Sequence, residues 1–168
     1  MDKHEFEQIY QKLYQSLYLY ALSLTHHPQD AEDLVMETLV KAYLSYGGVG
    51  NIQAWMFKVL KNTFIDLFRK NKRIVQVETD FLERLADSGP TFSQKMQDEE
   101  KKLWLYQKIY TLPEREREVI LLTLTSGLDD EEIAEMTGIS IGNLRVIRHR
   151  AKTKLRKMAE SEVQNESG

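Results

Sequence analysis

Apolar side chains recur at helical spacing along most of the chain, with intervals of three and four residues that place them on one face. The first such run includes Phe6, Ile9, Leu13, Leu17 and Leu24. The same spacing predicts further helices over residues 29–46, 53–73, 99–110 and 114–124. The pattern therefore predicts an all-α fold.

Residues 74–98 interrupt this pattern and divide the chain. The segment is rich in acidic residues and contains Ser88, Gly89 and Pro90 together, which is typical of a connection between domains. We therefore expect two small helical domains, residues 1–73 and 99–160, joined by a flexible acidic linker. The polar composition of residues 161–168 predicts a disordered tail.

The C-terminal domain contains the spacing of a helix-turn-helix within residues 129–157. Small Ala134, then Gly138, then apolar Leu144 would allow two helices to cross closely around a tight turn. Gly138 supplies the permissive backbone that such a reversal needs. Ser140 follows as the expected N-cap of the second helix.

The second of these helices is strongly basic and has two distinct faces. A helical wheel turns Ile141, Leu144, Ala151 and Leu155 inward. Between Asn143 and Lys157 there are seven lysines and arginines and no acidic residue. Such a helix could face both phosphates and base edges of DNA, whereas a solvated basic helix is the simpler alternative. The outward residues are Asn143, Arg145, Val146, His149 and Arg150.

A second basic stripe lies on the predicted third helix, beside the glycine-rich segment from residue 46 to 53. Aromatic residues are close by, so melted DNA could be held here through phosphate charge and base stacking. An ordinary amphipathic helix would show the same stripe. The polar members of the stripe are Lys58, Lys61, Asn62, Arg69, Lys72 and Arg73.

Charge is distributed unevenly over the 168 residues, which carry a net charge of -3. The acidic middle separates a slightly basic N-terminal block from a more basic C-terminal one, so the net charge does not exclude nucleic acid. The chain contains no cysteine, which excludes disulfides. Neither a signal peptide nor an apolar run of about 20 residues is present, and we expect a cytoplasmic protein without direct membrane insertion.

A metal-dependent enzyme is one alternative function. Its ligands would be His26, His27, Asp30 and Asp33, but adjacent histidines point in different directions on a helix. Pro28 and Asp30 instead fit the start of a helix. We therefore predict no metal site, no cofactor and no catalytic residues.

Four motifs in their order along the chain resemble the bacterial RNA polymerase sigma factors, and the short length resembles their extracytoplasmic-function (ECF) group. The resemblance implies a protein that binds core RNA polymerase and directs promoter-specific initiation at -10 and -35 elements. It also implies control by an anti-sigma factor, often in a stress response. Such an anti-sigma factor can hold the protein at the membrane. The motifs are DAEDLVMETLVKAY, WMFKVLKNTFIDLFRKNKR, LPEREREVILL and SIGNLRVIRHRAK.

The same resemblance implies a role for individual residues. Asp33, Met36 and Glu37 match positions that dock on the β′ clamp helices of the polymerase, although the family usually has glutamine at Met36. The C-terminal domain would contact the β flap. Melted -10 DNA would contact Asn51, Lys58, Lys61, Asn62 and Arg69.

The -35 element would be read by Ser140, Asn143, Arg145, Val146, His149 and Arg150. Here the sequence departs from the family, because the usual basic and apolar residues are exchanged at Ile147 and Arg148. We expect either a slightly rotated helix or an Arg148 side chain that extends to phosphate. The alternative within DNA binding is a stand-alone helix-turn-helix regulator that binds its operator without polymerase.

Overall fold

Helices make up nearly all of the described chain, which in this computed structural model is residues 1–48, 50–71 and 97–167. No strand occurs within these ranges, which confirms the predicted all-α fold. Residues 74–96 of the predicted linker lie outside the described residues, as do Lys72, Arg73 and the side chain of Arg69, whereas residues 97 and 98 of that prediction are helical. The helices are α1 (Lys3–Thr25), α2 (Pro28–Ser45), α3 (Ile52–Asn71), α4 (Gln97–Tyr110), α5 (Glu114–Thr125), α6 (Asp130–Thr137) and α7 (Ile141–Ser167).

Helices α1, α2 and α3 pack around one apolar core. Local capping explains where the first two meet: His26 ends α1 in a left-handed conformation with φ 57°, and Pro28 occupies the first turn of α2. The His27 side chain accepts a hydrogen bond from the Asp30 N–H at 3.4 Å. Fully buried side chains of this core include Leu17, Tyr20, Leu22, Leu34, Leu39, Met56, Phe57 and Leu60.

The C-terminal helices form the predicted helix-turn-helix on a support of α4 and α5. Helix α6 begins with a capping box. The Asp129 carboxylate accepts a hydrogen bond from the Glu132 N–H at 2.8 Å, and the Glu132 carboxylate accepts one from the Asp129 N–H at 3.4 Å. Gly138 ends α6 with φ 73°, and the Ser140 hydroxyl accepts from the Asn143 N–H at 3.3 Å. These contacts confirm the turn and the N-cap.

The N-terminal half, α1 to α3, also contacts the C-terminal half, α4 to α7. The buried Tyr20 hydroxyl of α1 donates a hydrogen bond to the Glu118 carboxylate of α5 at 2.8 Å. The Tyr110 hydroxyl at the end of α4 donates to the Leu19 carbonyl in α1. Both contacts join residues of the N-terminal half to residues of the C-terminal half.

The expectation of a disordered tail from residue 161 to 168 is wrong, because α7 continues as a helix to Ser167. No glycine or proline interrupts residues 158–167, so the helix propagates from its packed part, where Leu155 is buried. Glu162 lies 3.5 Å from the Lys108 ammonium of α4, which holds this end of α7 against the domain.

Candidate nucleic-acid interface

One face of α7 is open to solvent while the other is fixed in the domain. Leu144 and Ala151 are fully buried and Leu155 nearly so, which confirms their inward orientation. The opposite face exposes polar and basic side chains together with Val146, which is 46% exposed. This face could therefore present both hydrogen-bond donors and an apolar contact to a DNA groove. The residues exposed near the start of α7 are Ser140, Asn143, Arg145, Val146, His149 and Arg150.

Arg148 does not extend to solvent, so the expected extension of its side chain to phosphate is wrong. Its Nη2 lies 2.6 Å from Asp130 Oδ1, and its Nε donates to the Thr123 hydroxyl at 3.1 Å. Only 17% of its side chain is exposed. A charged partner at the start of α6, Asp130, takes the place of the expected phosphate. Arg148 therefore joins α7 to α5 and α6.

The carboxylate of Asp130 lies closer to Arg148 than to Arg145. The hydrogen bond from Arg148 is the main cause that holds the pKa of Asp130 below its usual value, and Arg145 adds to the same direction. Arg145 Nε is 3.7 Å from Asp130 Oδ2, and the Arg145 side chain remains 70% exposed. Arg145 is therefore oriented at its base yet still accessible to a partner.

The second predicted basic surface lies on α3 and is largely engaged within the protein. The Lys58 ammonium is 2.6 Å from Glu132 Oε2, and the Lys61 ammonium is 2.6 Å from Glu118 Oε2. Asn51 accepts the Gln53 N–H at 2.9 Å and so caps the start of α3. Among the predicted contacts on this helix with described side chains, Asn62 is exposed.

The predicted polymerase-binding residues lie on the exposed side of α2. Asp33 accepts a hydrogen bond from Gln29 Nε2 at 3.0 Å, and Glu37 lies 3.6 Å from the Lys41 ammonium. Met36 begins an exposed apolar stripe that continues one and two turns further on. Its members are Met36 at 46% exposure, Val40 at 50% and Leu44 at 74%.

A metal site finds no support among the side chains that the structure describes, where no group of three or more histidine, aspartate or glutamate residues could hold an ion. His26 and His27 instead shape the turn between α1 and α2. Within the same described ranges, no helix is long and apolar enough to cross a membrane.

Comparison with known proteins identifies the family of this chain. Residues 9–74 match the family Sigma-70 region 2, and residues 102–155 match Sigma-70, region 4. The chain is 31% identical over 160 residues to RNA polymerase sigma factor YlaC of Bacillus subtilis, covering 90% of each protein. It is 32% identical over 143 residues to ECF RNA polymerase sigma factor EcfG of Rhodopseudomonas palustris, covering 83% of this chain and 77% of EcfG.

This chain is an ECF sigma factor. Its helices also resemble those of the sigma factor RpoE in the co-crystal structure with the anti-sigma factor NepR from Bartonella quintana. That match has a TM-score of 0.59 and 26% identity, over 93% of this chain and 97% of RpoE. CnrH, solved with the cytosolic domain of CnrY, shares the fold with a TM-score of 0.55 and 21% identity, over 95% of this chain and 90% of CnrH.

Sequence patterns missed the residues of this sigma factor that face Lys58 and Lys61. Glu118 and Glu132 belong to amphipathic or capping motifs in their own helices, and nothing local marks them as partners of α3. Arg148 is different, because it lies four residues after Leu144 and three before Ala151, which is the spacing of the inward face. The aspartate in the first turn of α6 was an available signal for its partner.

Proposed function

We propose that this sigma factor reads the -35 element through the open face of α7. The observation that carries this proposal is the capped helix-turn-helix with its line of exposed side chains at one end of a fixed helix. An arginine that donates to guanine in the major groove gives about 1–3 kcal/mol of discrimination. Arg145 and Arg150 are the residues to which we assign this role, with Asn143, Val146, His149 and Ser140 beside them.

The N-terminal half, in the same proposal, engages the polymerase and the melted -10 strand. The exposed stripe of Met36, Val40 and Leu44, flanked by Asp33 and Glu37, suits a helix-in-groove contact with the β′ clamp. Methionine replaces the usual glutamine amide with a flexible apolar side chain, so this contact depends more on packing. The β flap would bind the C-terminal half. The strand would contact Asn51, Lys58, Lys61, Asn62 and Arg69.

An anti-sigma factor is the further partner that we propose, because the RpoE relative was solved in complex with one. An inhibitor that covers the apolar stripe of α2 would block the polymerase. The protein would act in the cytoplasm, where the polymerase works, and its inhibitor could hold it at the membrane. The phosphoryl chemistry would belong to the polymerase, so the protein itself would have no catalytic residues.

Run-off transcription tests the central proposal. Core polymerase from the host is given fragments of host DNA with and without the protein, and start sites that depend on the protein define its promoters. We expect Arg145→Ala or Arg150→Ala to reduce initiation at these promoters by about 10- to 100-fold. Lys157→Ala removes the same charge from an exposed position further along α7 and should change initiation much less.

Two results would contradict the proposal. One is tight binding of the free protein to such fragments with no initiation by active core polymerase, which would indicate a stand-alone regulator. The other is an equal loss in Arg145→Ala and Lys157→Ala, which would indicate general charge attraction rather than readout of bases.

Affinity capture tests the inhibitor. Tagged protein expressed in the host should recover polymerase together with a smaller partner under unstressed growth. Met36→Lys should reduce the recovery of both if the α2 stripe is their shared contact. Recovery of polymerase alone under every unstressed condition would count against an anti-sigma factor.

A further inference from the structure

Carboxylates of the C-terminal half occupy the basic surface of α3. Lys61 is the clearest case: its ammonium and the Tyr20 hydroxyl both approach Glu118 Oε2, at 2.6 Å and 2.8 Å. The side chains of Lys61 and Glu118 are only 17% and 15% exposed. A phosphate could not reach Lys61 without displacing Glu118, because little of either side chain is exposed.

A second set of contacts extends this cover along α3. Lys58 pairs with Glu132, whose carboxylate also completes the capping box of α6. The Gln53 side-chain amide donates to the Thr125 carbonyl at the end of α5. Gly127 lies against the same place: a Cβ built on it would lie 3.6 Å from side-chain atoms of both Asn51 and Gln53. Contacts with the C-terminal half therefore run from the start of α3 over at least two turns, with the Lys58 side chain still 43% exposed.

The covering groups have the charge of the ligand that they exclude. Two carboxylates at hydrogen-bond distance from two lysines make the charge-assisted contacts that phosphates of a strand would make. While they remain in place, they also repel the phosphates of any approaching strand. Direct occupation and like-charge repulsion thus act in the same direction.

We propose that the C-terminal half shields the strand-binding surface of the free protein, with Glu118 and Glu132 in the place of DNA phosphates. The surface becomes available when the two halves separate. This inference rests on the proposed role of Lys58 and Lys61 in binding the melted -10 strand. The Lys58–Glu132 pair is partly exposed and contributes little, so a partner that binds both halves more strongly can displace the cover.

The expected increase in affinity for the strand depends on the fraction of free molecules in which the two halves are separated, here called the open state. A ligand that binds only the open state has its affinity reduced by that fraction. If removing the two carboxylates opens most of a population that was roughly one-tenth open, strand binding tightens by about 10-fold. A smaller shift in the population gives about 3-fold.

The test measures fluorescence anisotropy of labelled oligothymidylate with the free, full-length protein at low salt. The variant Glu118→Gln with Glu132→Gln removes both charges but retains hydrogen-bonding groups, and glutamine remains a good capping-box residue at position 132. We expect it to bind about 3- to 10-fold more tightly than the wild type. The matched control is Glu131→Gln with Glu135→Gln. It also removes two negative charges, both from exposed positions on α6, the helix of Glu132. Equal tightening in both variants would overturn the proposal, because only the net charge would then matter.

Separation of the halves is measured independently by energy transfer between two dyes. The chain has no cysteine, so Gln11→Cys and Lys152→Cys at exposed positions give two defined labelling sites. Transfer should decrease in the Glu118→Gln and Glu132→Gln variant and stay constant in the control. Tighter strand binding with unchanged transfer would overturn the shielding, since the strand would then bind without opening.

Transcription with core polymerase separates this inference from the proposed function. Protein-dependent initiation with no difference between the two double variants in strand binding would reject the shielding alone. Absence of any initiation with active polymerase would reject the sigma-factor contacts on which the shielding rests. Retained initiation by the Glu118→Gln and Glu132→Gln variant, together with tighter strand binding, is the result that supports both.

Discussion

The two basic surfaces of this sigma factor differ in what faces them. On α7, Arg145 is 70% exposed although a carboxylate lies nearby. On α3, Lys61 is only 17% exposed and is paired with a residue of the other half. Similar side-chain chemistry therefore produces an accessible surface in one place and a covered one in the other. The difference depends on tertiary packing rather than on the composition of either helix.

The largest effect is expected from removing the support of the accessible surface. Leu144 is fully buried at the crossing of the helix-turn-helix, and Leu144→Ala should destabilise the protein by about 2–5 kcal/mol. The measurement is urea denaturation followed by circular dichroism. Val146→Ala, at a position 46% exposed in the same helix, should change stability by less than about 0.5 kcal/mol. Equal losses would mean that this face of α7 is not the fixed one.

A smaller effect should separate the two arginines that approach Asp130. Arg148→Met removes the short, little-exposed ion pair and should cost about 1 kcal/mol, after allowing for the partial exposure of Asp130. Arg145→Met should cost almost nothing in stability but should weaken DNA binding. Denaturation and duplex-binding measurements on both variants test this division. A larger stability loss in Arg145→Met than in Arg148→Met would contradict it.

Two glycines should respond in opposite directions to the same substitution. Gly127 has φ 71° on the covered side of the molecule, and Gly127→Ala should cost about 1 kcal/mol because alanine is strained there. Gly142 lies in the first turn of α7 with open space around it, and Gly142→Ala should stabilise by about 0.5–1 kcal/mol. Thermal melting of both variants measures the sign. Two changes of the same sign would contradict these backbone assignments.

The smallest effect should appear only in acid. The Asp130 pKa is lowered, chiefly by Arg148, so its stabilising contribution is present above the unfolded pKa of about 4 and is lost as pH falls through the folded value. Stability should therefore stay constant in this respect from neutral pH to about pH 5. Asp130→Asn should reduce the loss in the free energy of unfolding that occurs below about pH 5. Identical acid dependence in wild type and variant would show that other carboxylates dominate.

Features of the helix-turn-helix could be predicted because their causes are local. Gly138 and Ser140 determine the turn through backbone freedom and capping, and the spacing of Leu144, Ala151 and Leu155 determines which face of α7 is buried. The partner of Lys61 could not be predicted in this way. Glu118 is 57 residues away, and its own helix provides no sign of the contact. The tail was missed because polarity indicates solvation but does not prevent a helix from continuing.

The length of α7 has a mechanical consequence. The helix has 27 residues, which corresponds to about 40 Å, and Asn143 to Arg150 occupy only its first turns. The far end lies against α4, where Lys108 meets Glu162. The helix is thus held at two places, by the buried Leu144, Ala151 and Leu155 in its first part and by the Lys108–Glu162 contact towards its far end. We therefore expect a partner that displaces α4 to affect the exposed first turns of α7 without touching them, because one continuous helix joins the two places.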